Sequence, residues 1–262
     1  GLFEFIEPKY GREAVGGHEH IKTGLLAIAK NLKAGETTLT PMGLLAVGLS
    51  GSPSGATAAS LSEAQRNAMT PDQVIQKMLD GNARFLSGAR KERDFLAEMR
   101  SSSTGQFPAA IVLSCVDSRA PVEVICDLGI GDTFNARVAG NAVNDDILGS
   151  MEFACAAAGA KAVVLMGHTA CGAIKGAIDN VVLGNLTLLL ARFKSAIDAT
   201  VYSGDRSSKN AAFVDAVART HVQQSVRLVR ERSPVLAGLE AKGSIKIVAT
   251  MYDLASGKVT LV

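Results

Sequence analysis

The sequence predicts an α/β protein: a mainly parallel central sheet flanked by helices, preceded by a helical or irregular N-terminal arm. Three observations carry this expectation. Residues 109–114 (AAIVLS) and 162–166 (AVVLM) are short apolar runs without alternation, the pattern of strands buried on both faces. Between and after them, helix-like and strand-like segments alternate, as crossovers between parallel strands require. The chain has 262 residues, 47% hydrophobic and 20% charged, enough for one sizeable core and too apolar for a disordered region over most of its length.

Taken in order, the elements begin with an arm over residues 1–60. Residues 21–32 are read as a short helix and 50–59 as a Gly/Ser/Ala/Pro-rich linker, which places a boundary near residue 60 and a single domain over 61–262. Thr70 and Pro71 mark a helix start, N-cap and first helical position, and Val74, Ile75, Met78 and Leu79 follow at helical spacing until about Gly88. After the strand at 109–114 come a helix at 121–127, a strand at 134–138 and a helix at 146–158. The second apolar strand leads to a long helical region at 185–200, a polar loop at 203–209 and a helix through Arg230 that starts at His221 (HVQQSVRLV). Two closing strands, 244–252 and 258–262, complete the chain, and no internal repeat is present.

Composition removes several function classes. The net charge is +2 and no segment gathers basic residues with aromatics, which argues against nucleic acid as a partner. No run of about 18 apolar residues is available to span a membrane. Residues 41–59 end in small residues as an export peptide does, but the apolar stretch is short and broken by Gly and Pro; a targeting remnant and a retained arm both stay open. The compartment is not fixed by this, and a soluble, cytoplasmic or organellar protein is favoured over an exported one. The arm's apolar clusters (Leu2, Phe3, Phe5, Ile6; Leu25, Leu26, Ile28; Leu44, Leu45, Val47) are too short for a core, so the arm is expected to pack on a neighbouring subunit or a protein partner. Four cysteines are too few for a disulfide scaffold at this length, and metal binding or burial is the better default.

Chemistry concentrates at two strand ends. Cys115 directly follows the first apolar strand, and His168 and Cys171 follow the second, where ligands gather in open parallel sheets. Two thiolates and one imidazole form a three-ligand zinc set, the count of catalytic sites that keep a fourth position open. Cys126 and Cys155 fall among helical apolar residues and are read as buried hydrophobes. His221 is read as packing and His18 and His20 as solvated. Gly129-Ile-Gly131 lacks the third glycine of a dinucleotide fingerprint.

Cys115-Val-Asp117-Ser-Arg119 with Gly167-His168-Thr-Ala-Cys171-Gly172 resembles the paired signature of the β-class carbonic anhydrases. The likeness runs from about Thr70 through Gly131–Asn141 and Gly149–Ala154 to the closing Tyr252–Val259, and leaves the first 60 or so residues uncovered. It implies a zinc lyase (carbonate dehydratase) that hydrates CO2 reversibly to bicarbonate and a proton by zinc-bound hydroxide, with Zn2+ on Cys115, His168 and Cys171. It implies that Asp117 and Arg119 are a catalytic pair. It further implies a homodimer or a tetramer built from dimers, with the active site at the dimer interface. Gln106, nine residues before Cys115, and Phe134 resemble the bicarbonate donor and apolar wall of the plant-like, open-site subtype. Phe153 stands where that pattern often has Tyr, and Gly172 would let its N–H approach a substrate oxygen. Two other readings stay open on sequence: a carbon disulfide or carbonyl sulfide hydrolase on the same site, and a zinc-stabilised, non-catalytic assembly subunit.

Overall fold

A computed structural model describes residues 59–262. The arm, His18, His20 and the export-like segment up to residue 58 lie outside the described residues. A five-stranded sheet runs through the described part in the order β2-β1-β3-β4-β5. Its strands are β1 (Ala110–Ser114), β2 (Thr133–Arg137), β3 (Ala162–His168), β4 (Lys246–Tyr252) and β5 (Val259–Leu261). The first four are mutually parallel and β5 closes the far edge antiparallel to β4. Every residue of β1 and β3 is buried, as their unbroken apolar runs require, whereas the edge strand β2 is only half-covered.

Helices cover both faces in two apolar clusters. One face of β1 and β3 (Ile111, Leu113, Val163, Leu165) packs against Phe193, Phe213, Val217 and Val222; the other (Val112, Val164, Met166) packs against Val74, Ile75, Met78 and Ile125. The helices in chain order are α1 (Glu63–Ala68), α2 (Pro71–Ser87), α3 (Phe95–Ser102), α4 (Val122–Ile125), α5 (Asp145–Glu152), α6 (Gly172–Ile178), α7 (Gly184–Leu190), α8 (Lys194–Ala199), α9 (Ala211–Arg232) and α10 (Pro234–Ala241). Helix α2 starts as expected: Thr70 Oγ1 accepts the Gln73 N–H at 3.2 Å while Gln73 Oε1 accepts the Thr70 N–H at 2.8 Å, with Pro71 just inside. It ends at Gly88 in the left-handed conformation.

Four expectations are corrected. The helical region at 185–200 is two helices, α7 and α8, joined by a 3-10 turn at Ala191–Phe193 that seats the fully buried Phe193 ring. The helix expected at 146–158 stops at Glu152 and continues as a π-turn, Phe153–Ala157, leaving Phe153 exposed. The helix expected to start at His221 starts ten residues earlier, at Ala211, where Asn210 Oδ1 accepts the Ala212 and Phe213 N–H groups; His221 is a buried mid-helix residue. Helix 121–127 is a single turn, α4, ended by Asp127 at positive φ. Among the described residues no helix is long and apolar enough to cross a membrane.

Candidate metal centre

Because β1 and β3 are parallel neighbours in register, their carboxyl ends lie side by side, with Ser114 opposite Met166. Cys115 leaves the first strand there, His168 ends the second, and Cys171 caps α6 three residues beyond the end of β3. All three are buried, and the Cys115 and Cys171 sulfurs and one His168 ring nitrogen lie within 4.8 Å of one another.

The donor set suits a metal cation. His168 Nδ1 lies 2.8 Å from the Thr169 carbonyl oxygen, which can only accept, so Nδ1 carries the proton and Nε2 keeps a bare lone pair. That Nε2 is buried with no hydrogen-bond partner, an arrangement that is costly unless something else binds it. Hydrogen bonding with the Cys171 side chain chiefly holds the Cys115 thiol well below its ordinary value, with His168 and the Gly140 N–H assisting against the opposing effect of burial. The acidity of Cys171 is suppressed by that same shared bond and by burial. The proton between the sulfurs marks where a cation would replace it. The other two cysteines offer nothing similar: burial pushes Cys126 and Cys155 up to about 12.

Gly140 is required where it stands. Its N–H reaches Cys115 Sγ at 3.2 Å, its φ is +64°, and an added Cβ would lie 2.4 Å from the Phe193 ring. Phe193 is in turn held edge-on against His221, with centroids 4.7 Å apart.

Asp117 and Arg119 stand at the mouth of this cluster. Arg119 donates to Asp117 Oδ1 from its own N–H and from Nε, both at 2.9 Å, and to Oδ2 from Nη2 at 2.8 Å. This two-pronged pairing holds the Asp117 carboxyl well below the usual carboxylate range. Asp117 Oδ2 lies 3.9 Å from His168 Nε2, close enough to face whatever occupies the space between the ligands. Arg137, at the end of β2, donates to the Cys115 carbonyl at 2.9 Å and the Asp117 carbonyl at 2.5 Å, pinning the turn that carries both. The sequence alone assigns no role to Arg137 or Gly140; a glycine's tolerance of positive φ is a signal that could find the second, and nothing local marks the first.

The remaining candidates lie elsewhere in this chain. Gln106 sits four residues before β1, beside Ser102–Gly105, Ile130 and Gly131. Phe134 is in register with Ile111, and Cys115 lies four residues beyond Ile111, just past the end of β1, about 13 Å of extended chain. Phe134 and Phe153 form an edge-to-face pair with centroids 5.9 Å apart, lining a shallow depression with Asn135, Asp145 and Asp146. One chain therefore does not bring Gln106, Phe134 and Phe153 to the ligand cluster. Gly172 does adjoin it as the first residue of α6, and a Cβ there would meet nothing within 4 Å, so packing does not demand a glycine.

Comparison with known proteins agrees with this geometry. A family model described as carbonic anhydrase matches residues 110–259. A carbonic anhydrase of Mycolicibacterium smegmatis is 34% identical, the match covering 73% of this chain and 93% of the relative. Carbonic anhydrase 2 of Mycobacterium tuberculosis is 32% identical over 73% of this chain and 92% of its own length. Among solved structures, a β-carbonic anhydrase of Aspergillus fumigatus superposes with TM-score 0.57 at 28% identity, covering 63% of this chain and 79% of that one. A tetrameric β-carbonic anhydrase of Sordaria macrospora gives 0.55 at 25% identity, covering 61% and 83%. With a Cys-His-Cys cluster at the carboxyl ends of two parallel strands, and relatives that match most of the described fold, the chain belongs to the β class of the carbonic anhydrase family.

Proposed function

We propose that the protein hydrates CO2 reversibly to bicarbonate and a proton on a zinc ion held by Cys115 Sγ, His168 Nε2 and Cys171 Sγ, with a fourth position open. The single observation that carries this reading is the bare, buried His168 Nε2 facing two sulfurs with Asp117 3.9 Å away. Zinc bound there supplies the acidity that makes hydroxide available near neutral pH.

The chain's own residues then have distinct tasks. Asp117, kept ionised by Arg119, is placed to accept a hydrogen bond from a water or hydroxide that would occupy the open position, and so would orient it toward CO2. Arg119 holds both carboxylate oxygens, so Asp117 is restrained from taking the open position itself; that pairing supports the open-site, plant-like reading. The Gly172 N–H, unobstructed by any Cβ, donates to a substrate oxygen.

Gln106, Phe134 and Phe153 serve the pocket of a second copy, because in their own chain they flank the opposite end of β1 and β2. The reading is accordingly a homodimer or a tetramer built from dimers, and a fully active monomer by light scattering contradicts it. The tetrameric state of the Sordaria macrospora enzyme supports the same assembly. For the activity itself, stopped-flow CO2 hydration and zinc content should be measured on one sample. The expected result is one zinc per chain with hydration that vanishes on chelation and returns with zinc. Full zinc with negligible hydration would favour a non-catalytic subunit.

A further inference from the structure

The two ligands at the end of β3 are separated by only Thr169 and Ala170, so the chain must turn sharply to aim both inward. Each of these linking residues is tied down from a distance. Thr169 is fixed by β4 and the residues after it: its N–H donates to the Tyr252 carbonyl at 3.0 Å, and its Oγ1 accepts the Leu254 N–H at 2.9 Å. Its own carbonyl accepts from His168 Nδ1. Ala170 takes the strained half of the turn, with φ +55°, a conformation that costs a non-glycine residue about 1 kcal/mol. Its N–H donates to a carboxylate 45 residues away: Asp215 Oδ1 on α9, at 2.7 Å.

We infer that Asp215 is a positioning residue for the metal ligands, holding the Ala170 turn so that His168 and Cys171 converge. The inference rests on the zinc reading above. Asp215 itself touches neither ligand, and nothing in the local sequence marks it. A charged acceptor on a backbone N–H is roughly twice as strong as a neutral one, enough to offset the strain at Ala170. The carboxylate is carried by a 22-residue helix whose Phe213, Val214, Val217 and Val222 are fully buried, so the acceptor is presented from a helix anchored in the core. The arrangement has the form of outer supports that orient metal ligands without binding the metal.

The test is zinc affinity, measured by chelator competition, in the full chain and three variants. Asp215→Ala should weaken zinc about 10- to 100-fold. Asp215→Asn, which keeps an oxygen acceptor, should stay within about threefold of wild type. Val229→Ala, a core truncation on the same helix away from the turn, should lower Tm and leave affinity unchanged. The absorption of cobalt-loaded protein should shift in Asp215→Ala alone, because the ligand geometry changes there alone. Should the alanine variant not fold, Asp215→Ser, too short to reach Ala170, replaces it. Wild-type affinity in Asp215→Ala, or an affinity loss that tracks Tm equally in Val229→Ala, overturns the inference. A wild-type chain that takes up no zinc overturns the reading beneath it, and the inference with it.

Discussion

The two turns that carry the candidate ligands are built in opposite ways. The turn after β1 is held largely by its own neighbours: Asp117 and Arg119 pair across two residues, half in solvent, with one clamp from Arg137. The turn after β3 is only partly exposed, lies between two buried ligands and is held by remote elements, Thr169 by the end of β4 and Ala170 by α9. The difference follows their proposed tasks. A group that must meet a small, exchanging substrate has to stand near solvent, whereas ligands that fix a cation need positions their surroundings over-determine. It also means that damage to the two turns should look different.

The largest effect is expected at the turn after β3. Cys171→Ala removes one of the two sulfur ligands from a buried cluster and should strip the metal together with activity, a loss on the order of a thousandfold or more in CO2 hydration. Zinc content of that variant checks it, and full occupancy would break the ligand assignment. At the exposed turn, Arg119→Ala should keep the metal yet lose roughly a hundredfold in hydration, because Asp117 is then free to turn toward the open position. Wild-type turnover in that variant would erase the contrast between the turns.

The legibility of the molecule divides along the same line. Cys115-Val-Asp117-Ser-Arg119 and His168-Thr-Ala-Cys171 can be read because their chemistry is written in adjacent residues, and β1 and β3 because burial on both faces leaves an unbroken apolar run. Arg137 and Asp215 act across 22 and 45 residues, a separation that no local pattern encodes. The break between α7 and α8 is illegible for a related reason: Phe193 is drawn inward onto Gly140 and His221 by packing, which overrides a helical run. The early start of α9 is hidden because Asn210 reads equally well as loop or cap. Gln106, Phe134 and Phe153 are legible as residues, but their place depends on a second copy that one chain does not supply.

The smallest effect is one on stability and concerns the remote support of the first turn. His221, buried behind Gly140 and Phe193, is lowered from 6.5 to about 4 by burial, although the carbonyls of Gly140 and Asn141 favour its proton. A histidine whose folded value lies below its unfolded value contributes stability above pH 6.5 that is lost as pH falls toward 4, up to ~3 kcal/mol over that window. Urea unfolding of the metal-free chain at pH 7 and pH 4.5 should show this loss. The His221→Gln variant should show a smaller pH dependence, and an unchanged one would remove His221 from the account.

The central claim is the identity of the ligands, and X-ray absorption at the zinc edge of the loaded protein tests it most directly. The expected spectrum has two sulfur scatterers at about 2.3 Å and two nitrogen or oxygen scatterers at about 2.0–2.1 Å. Three or more sulfurs would mean that Cys126 or Cys155 is recruited, and none would mean that the cluster does not hold the metal; either result contradicts a zinc site built from Cys115, His168 and Cys171.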